Sequence, residues 1–103
     1  RQPSRFNIVA MEKVKLYTIG RDDLFRLFDK HPSLQKLGRL SMEYMFIRKE
    51  MREASFLLDS AERRYEELLL QYPQITQRVP LKYLASYLGI TAETLSRIRA
   101  IKT

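Results

Sequence analysis

Apolar and polar residues change their period along this chain, and each change marks an element. From Phe6 to Ile19, Phe6, Ile8 and Ala10 alternate with Asn7 and Val9, and a second β-branched and aromatic run from Val14 to Ile19 follows Glu12-Lys13. Such runs predict two short strands, paired as a hairpin. Two strands alone are marginal in water, so the hairpin is expected to belong to a larger sheet or to be buttressed by helices. Gly20 closes the second strand. "RDDLFRLFDKH" then reads as a short helix with acids early and Lys30 late, stopped by Pro32.

Beyond Pro32 the period lengthens to three and four. Leu37, Leu40, Tyr44, Ile47, Met51, Ala54 and Leu58 follow that spacing without a polar interruption, with Leu37, Tyr44, Met51 and Leu58 at a and Leu40, Ile47 and Ala54 at d of a heptad. A helix packed only on its own domain needs a single apolar stripe. Here Met42, Met45, Phe46, Phe56 and Leu57 add apolar surface beside the seam. The pattern therefore predicts a parallel two-stranded homodimer, with Glu43 at g facing Arg48 at e of the other chain; packing inside one chain is the weaker alternative.

Asp59, with Glu62 beyond it, fits a capping box that ends the long helix and starts "SAERRYEELLLQY", so a hinge is expected at Asp59. Pro73 and Pro80 bracket the connector "PQITQRVP", and Pro80 suits the first position of the helix "PLKYLASYL". That helix carries Leu81, Leu84, Ala85 and Leu88 on one face. Gly89 follows where a left-handed backbone ends a helix, Thr91 is placed to cap the next one, and Glu93 suits its first turn. Leu95 and Ile98 anchor the second helix inward, with small Ala85 at the crossing. Ala92, Glu93, Ser96, Arg97 and Ala100 are left on the outward face. The expectation is a helix-turn-helix that presents its second helix to a groove.

Composition narrows the partner. Lys and Arg outnumber Asp and Glu 19 to 12 in 103 residues, a net charge of +7 that favours a polyanion, and 45% hydrophobic residues suffice for a packed core. The absence of cysteine excludes disulfides and thiolate metal sites from this segment. His31 is the lone histidine, without companions for a metal, and is expected at a helix end or facing solvent. No apolar run approaches the ~18 residues of a membrane span and no secretion signal is visible, so a cytoplasmic address and no membrane partner are expected. Without a Gly-rich phosphate loop or a nucleophile-base pair, enzymatic activity and cofactors are not expected. The chain opens on Arg1 and reads as a fragment or a processed chain.

The stretch "SAERRYEELLLQYPQITQRVPLKYLASYLGITAETLSRIR" resembles the C-terminal DNA-binding domain of the Crp/Fnr family of bacterial transcription regulators. "FNIVAMEKVKLYTIGRDDLFRLFDKHP" is similar to the last strands of that family's cyclic-nucleotide-binding-like sensor barrel, and Leu34 to Leu58 occupies the place of its dimerisation helix. The resemblance implies three parts: a barrel remnant over 1–31, a long dimerisation helix over 32–59, and a winged or wingless helix-turn-helix domain over 60–103. The implied fold is mainly α with a short β-hairpin remnant. The implied function is a homodimeric regulator on a palindromic double-stranded operator, with RNA polymerase as a further partner and residues 91–102 as the recognition helix.

Carried over residue by residue, Glu93, Ser96 and Arg97 take the base-reading positions of the Fnr-like branch. Their chemistry agrees: Arg97 can pair bidentately with guanine, Glu93 can accept from a cytosine amino group, and Ser96 can do either. Phosphate contacts are expected of Lys82, Thr91, Thr94, Arg99 and Lys102. Ala92 departs from members with arginine there, and the chain ends too soon after Arg99 for the strand pair that often follows. Cyclic-nucleotide binders carry a Gly-Glu pair and an Arg-Ser pair; here Ser4-Arg5 stands in reversed order and the Gly-Glu pair is missing, so no cyclic nucleotide is expected. The competing reading is a helical interaction or assembly module without DNA binding. The basic Arg97, Arg99, Lys82 and Lys102 favour DNA.

Overall fold

The computed structural model describes residues 2–102, the side chain of Lys102 excepted. Helix accounts for 70% of the chain and no strand forms among the described residues. The helices are α1 (Arg21–Lys30), α2 (Pro32–Leu58), α3 (Ala61–Gln71), α4 (Ile75–Arg78), α5 (Leu81–Leu88) and α6 (Ala92–Lys102).

The expected hairpin is overturned. Residues 6–19 carry no strand, and Phe6, Ile8, Leu16 and Tyr17 are all at least three-quarters exposed. The physical reason is that alternation supplies only one side of a strand. Ladder partners and a face to bury against must come from elsewhere, and an isolated pair of strands does not hold in water. The helix α6 runs to Lys102, the last described residue.

Arg1–Leu40 and Ser41–Thr103 are separate compact units. In the first, the His31 backbone joins two helices: its N–H donates to the Leu27 carbonyl at 3.0 Å, and its carbonyl accepts from Leu34 and Gln35 at 3.0 and 3.3 Å. Pro32 opens α2, where its missing N–H costs nothing. Phe28 lies over Gly38, where an added Cβ would come within 3.0 Å of the ring.

The second unit holds the core. Tyr65 and Leu68 of α3, Leu84, Ala85 and Leu88 of α5, and Leu95 and Ile98 of α6 are each no more than 5% exposed, with Ile75, Val79, Leu81 and Ile90 packed around them. These side chains follow helical spacing on each element, so burying one face of each helix closes a single cluster. Two boundaries differ from expectation. The cap of α3 is Ser60, whose hydroxyl accepts from the Arg63 N–H at 3.1 Å, instead of Asp59. Ser60 is one residue nearer the helix, and no Glu stands three residues after it to close a box. Pro80 lies just before α5 rather than inside it, and the connector "PQITQRVP" contains the helical turn α4.

The long seam stands in contrast to that core. No residue of α2 is buried; Leu37, Tyr44, Ile47 and Met51 are 59, 61, 51 and 63% exposed, Leu58 is 83% exposed, Leu40 is exposed and Ala54 half-buried. No helix among the described residues is long and apolar enough to cross a membrane.

Candidate nucleic-acid interface

Whatever α6 presents is set by how α5 ends. Gly89 has φ 72° and ψ 30°, the left-handed region that side chains with a Cβ rarely enter. With the backbone turned there, the Gly89 N–H donates to the Ser86 carbonyl at 3.1 Å and the Ile90 N–H to the Ala85 carbonyl at 3.0 Å. This reciprocal pair is a Schellman motif, which satisfies carbonyls that a bare helix end would leave open. Ile90, the last residue of the motif, packs against the core and fixes the exit direction.

Thr91 then starts α6. Its hydroxyl accepts from the Thr94 N–H at 3.1 Å and donates to the Thr94 hydroxyl at 2.9 Å, while its carbonyl accepts from Leu95 N–H at 3.0 Å. A threonine cap of this kind contributes about 1 kcal/mol to its helix. Glu93 lies in the first turn, where the helix dipole favours a carboxylate. The Thr94 hydroxyl in turn accepts from Arg97 Nη2 at 3.2 Å. Having accepted from two donors, it keeps its own O–H for a further acceptor.

With Leu95 wholly buried and Ile98 5% exposed, the helical repeat turns Glu93, Ser96 and Arg97 outward, and all three are exposed. Thr94 and Arg99 flank them, half-buried. Ala92 differs from expectation: it is half-buried and packs against the core cluster rather than facing out. It stands three residues before the wholly buried Leu95, so the helical repeat turns it toward the same side. Lys82 is exposed on α5 with its ammonium 4.8 Å from the Tyr83 ring centroid. The side chain of Lys102 lies outside the described residues.

A second basic region escaped the sequence reading. Arg52 Nη2 donates to the Tyr87 carbonyl at 2.7 Å, and Arg64 donates from Nη2 and Nε to the Leu88 carbonyl at 3.0 and 3.3 Å and from Nη1 to the Asp59 carbonyl at 2.8 Å. Both guanidiniums thus meet the negative end of the α5 dipole. They also stack on aromatic rings, Arg52 at 3.9 Å from the Tyr87 centroid and 4.8 Å from Phe56, Arg64 at 4.6 Å from Phe56. Met51, Arg52, Ser55, Arg64 and Leu68 contribute to the walls of a cleft of about 380 Å³ beside them. The spacing of Arg52 and Phe56 by one helical turn could have placed them on one face. Their meeting with α5 is long-range and has no local signal.

Arg48, expected to face Glu43 of another chain, is engaged within its own: it donates to the Tyr72 hydroxyl and, at 3.4 Å, to that of Tyr44. Those hydrogen bonds, Tyr72's foremost, raise its pKa above the already high guanidinium value. Among the described residues no group of His, Cys, Asp and Glu could hold a metal ion. The chain matches no family model, no curated protein and no solved structure.

Proposed function

We propose that the chain is a sequence-specific double-stranded-DNA-binding transcription regulator, with α5, the Gly89 turn and α6 as a helix-turn-helix and α6 as its recognition helix. The observation that carries this reading is the presentation of α6. Its inner side is fixed by Leu95 and Ile98, its start by the Thr91 cap, and its outer side offers Glu93, Ser96 and Arg97 as acceptor, adaptable hydroxyl and fork-shaped donor. Those groups suit base edges in a major groove. Lys82, Thr94 and Arg99, on the same two helices, would serve as phosphate partners, and the net charge of +7 suits a polyanion.

The regulator acts as a homodimer through α2, whose exposed Leu37, Tyr44, Ile47 and Met51 need covering, and it therefore reads a palindrome. No cofactor and no enzymatic activity are part of this reading. The same exposed seam also favours the second reading, an assembly module that recruits a helical partner and leaves DNA alone.

Binding-site selection from random duplexes separates the two. Enrichment of a palindrome is expected, with log affinity falling against log salt at about 0.9 per phosphate contacted. Failure to enrich any sequence, together with no salt-dependent binding, would leave the assembly module standing.

A further inference from the structure

Gly89 ends α5, yet its missing side chain answers a second need. An ideal Cβ at Gly89 would lie 2.7 Å from Cε1 of Phe56, so the ring occupies the space that any other residue would fill. Phe56 belongs to the last turns of α2 and is not buried, at 40% exposure. It is held instead by cations: the guanidiniums of Arg52 and Arg64 lie 4.8 and 4.6 Å from its centroid. The same two guanidiniums donate to the Tyr87 and Leu88 carbonyls, the last of α5. Ring and carbonyls are thus gripped by one pair of side chains, immediately before the turn that aims α6.

We infer that Phe56, clasped by Arg52 and Arg64, is a positioning latch that ties the end of α2 to the Gly89 turn and thereby sets the direction in which α6 is presented. Nothing in the apolar core provides this link. The core joins α3, α5 and α6, whereas α2 reaches the turn through the latch. Hydrogen bonds from a charged donor to carbonyls are stronger than neutral ones, and a cation over a ring adds to them, so two half-buried arginines suffice without an apolar contact in the core. The latch rests on the DNA-binding reading for its consequence, though not for its geometry.

The test compares the unmutated chain with Phe56→Ala and with Phe56→Tyr, which keeps the ring. Native-state amide exchange is read residue by residue in the free protein, and affinity is read on selected and scrambled duplexes at one salt concentration. In Phe56→Ala, protection at Gly89 and Ile90 should fall by about tenfold while amides within α3 and the middle of α6 keep theirs. The ratio of selected to scrambled affinity should fall several-fold with the scrambled affinity unchanged, and Phe56→Tyr should restore both. Unchanged turn amides, or an even loss across all helices, would overturn the latch, the second by making Phe56 ordinary packing. If the turn amides respond but the unmutated chain does not discriminate between duplexes, the latch stands and the DNA-binding reading falls.

Discussion

The helix pair α5–α6 and the long helix α2 are built from the same apolar residue types and treat them oppositely. Leu84, Leu88, Leu95 and Ile98 are at most 5% exposed, whereas Leu37, Tyr44, Met51 and Leu58 are between 59 and 83% exposed. The pair also completes its backbone hydrogen bonds locally, through the Gly89 turn and the Thr91 cap. The first region is finished within one chain, and the second offers apolar surface far beyond the scattered exposure that needs no explanation. Helical periodicity therefore locates an apolar face without saying whether the chain itself supplies the cover.

Substitutions that act on one side of this contrast should sharpen it, and the largest effect is expected on α2. Ile47→Asp places a charge in the middle of the seam. If α2 is covered by a second copy, each dimer would bury two unpaired carboxylates at a cost of several kcal/mol, and light scattering should report monomers while the circular dichroism of the helices is retained. A monomer for the unmutated chain at tens of micromolar would break the contrast by removing the dimer. On the finished side, Leu95→Ala removes a wholly buried side chain and should cost about 2 to 5 kcal/mol in denaturant unfolding. A loss below about 1 kcal/mol would mean that the core around Leu95 is less complete than its burial indicates.

Smaller effects probe the outward face. Arg97→Ala should cost about 1 to 3 kcal/mol on a selected duplex and little on a scrambled one, as measured by fluorescence anisotropy at matched salt. Equal losses on both would make Arg97 a phosphate contact. Lys82→Ala should instead weaken both duplexes alike and flatten the salt slope by about one. Thr91→Ala should lower stability by about 1 kcal/mol through loss of the cap. Its effect on affinity should exceed that on stability if the Thr91–Thr94–Arg97 hydroxyl chain also orients the guanidinium.

What could be read from the sequence follows the range of the forces. Gly89 and Thr91 were legible because a left-handed helix end and a capped helix start are decided by a few adjacent residues. Leu84, Ala85, Leu88, Leu95 and Ile98 were legible because one helical period places each on an inner face. Residues 6–19 were misread because a strand needs a partner that the pattern of one segment does not contain. The shift from Asp59 to Ser60 at the α3 cap turned on which of two neighbouring acceptors reaches an N–H, and α4 was hidden in a segment flanked by prolines. The grip of Arg52 and Arg64 on α5 joins residues far apart in sequence and left no periodic trace.

Glu93, Ser96 and Arg97 are exposed and lie outside the buried cluster, and surface substitutions of that kind usually change stability by less than about 0.5 kcal/mol. The turn before them has no such latitude. Any side chain at Gly89 would meet both a left-handed backbone and the Phe56 ring. Substitutions on the outward side of α6 can thus change the chemistry it displays at little cost to folding, whereas the glycine of the turn cannot be replaced without straining the backbone and displacing the ring.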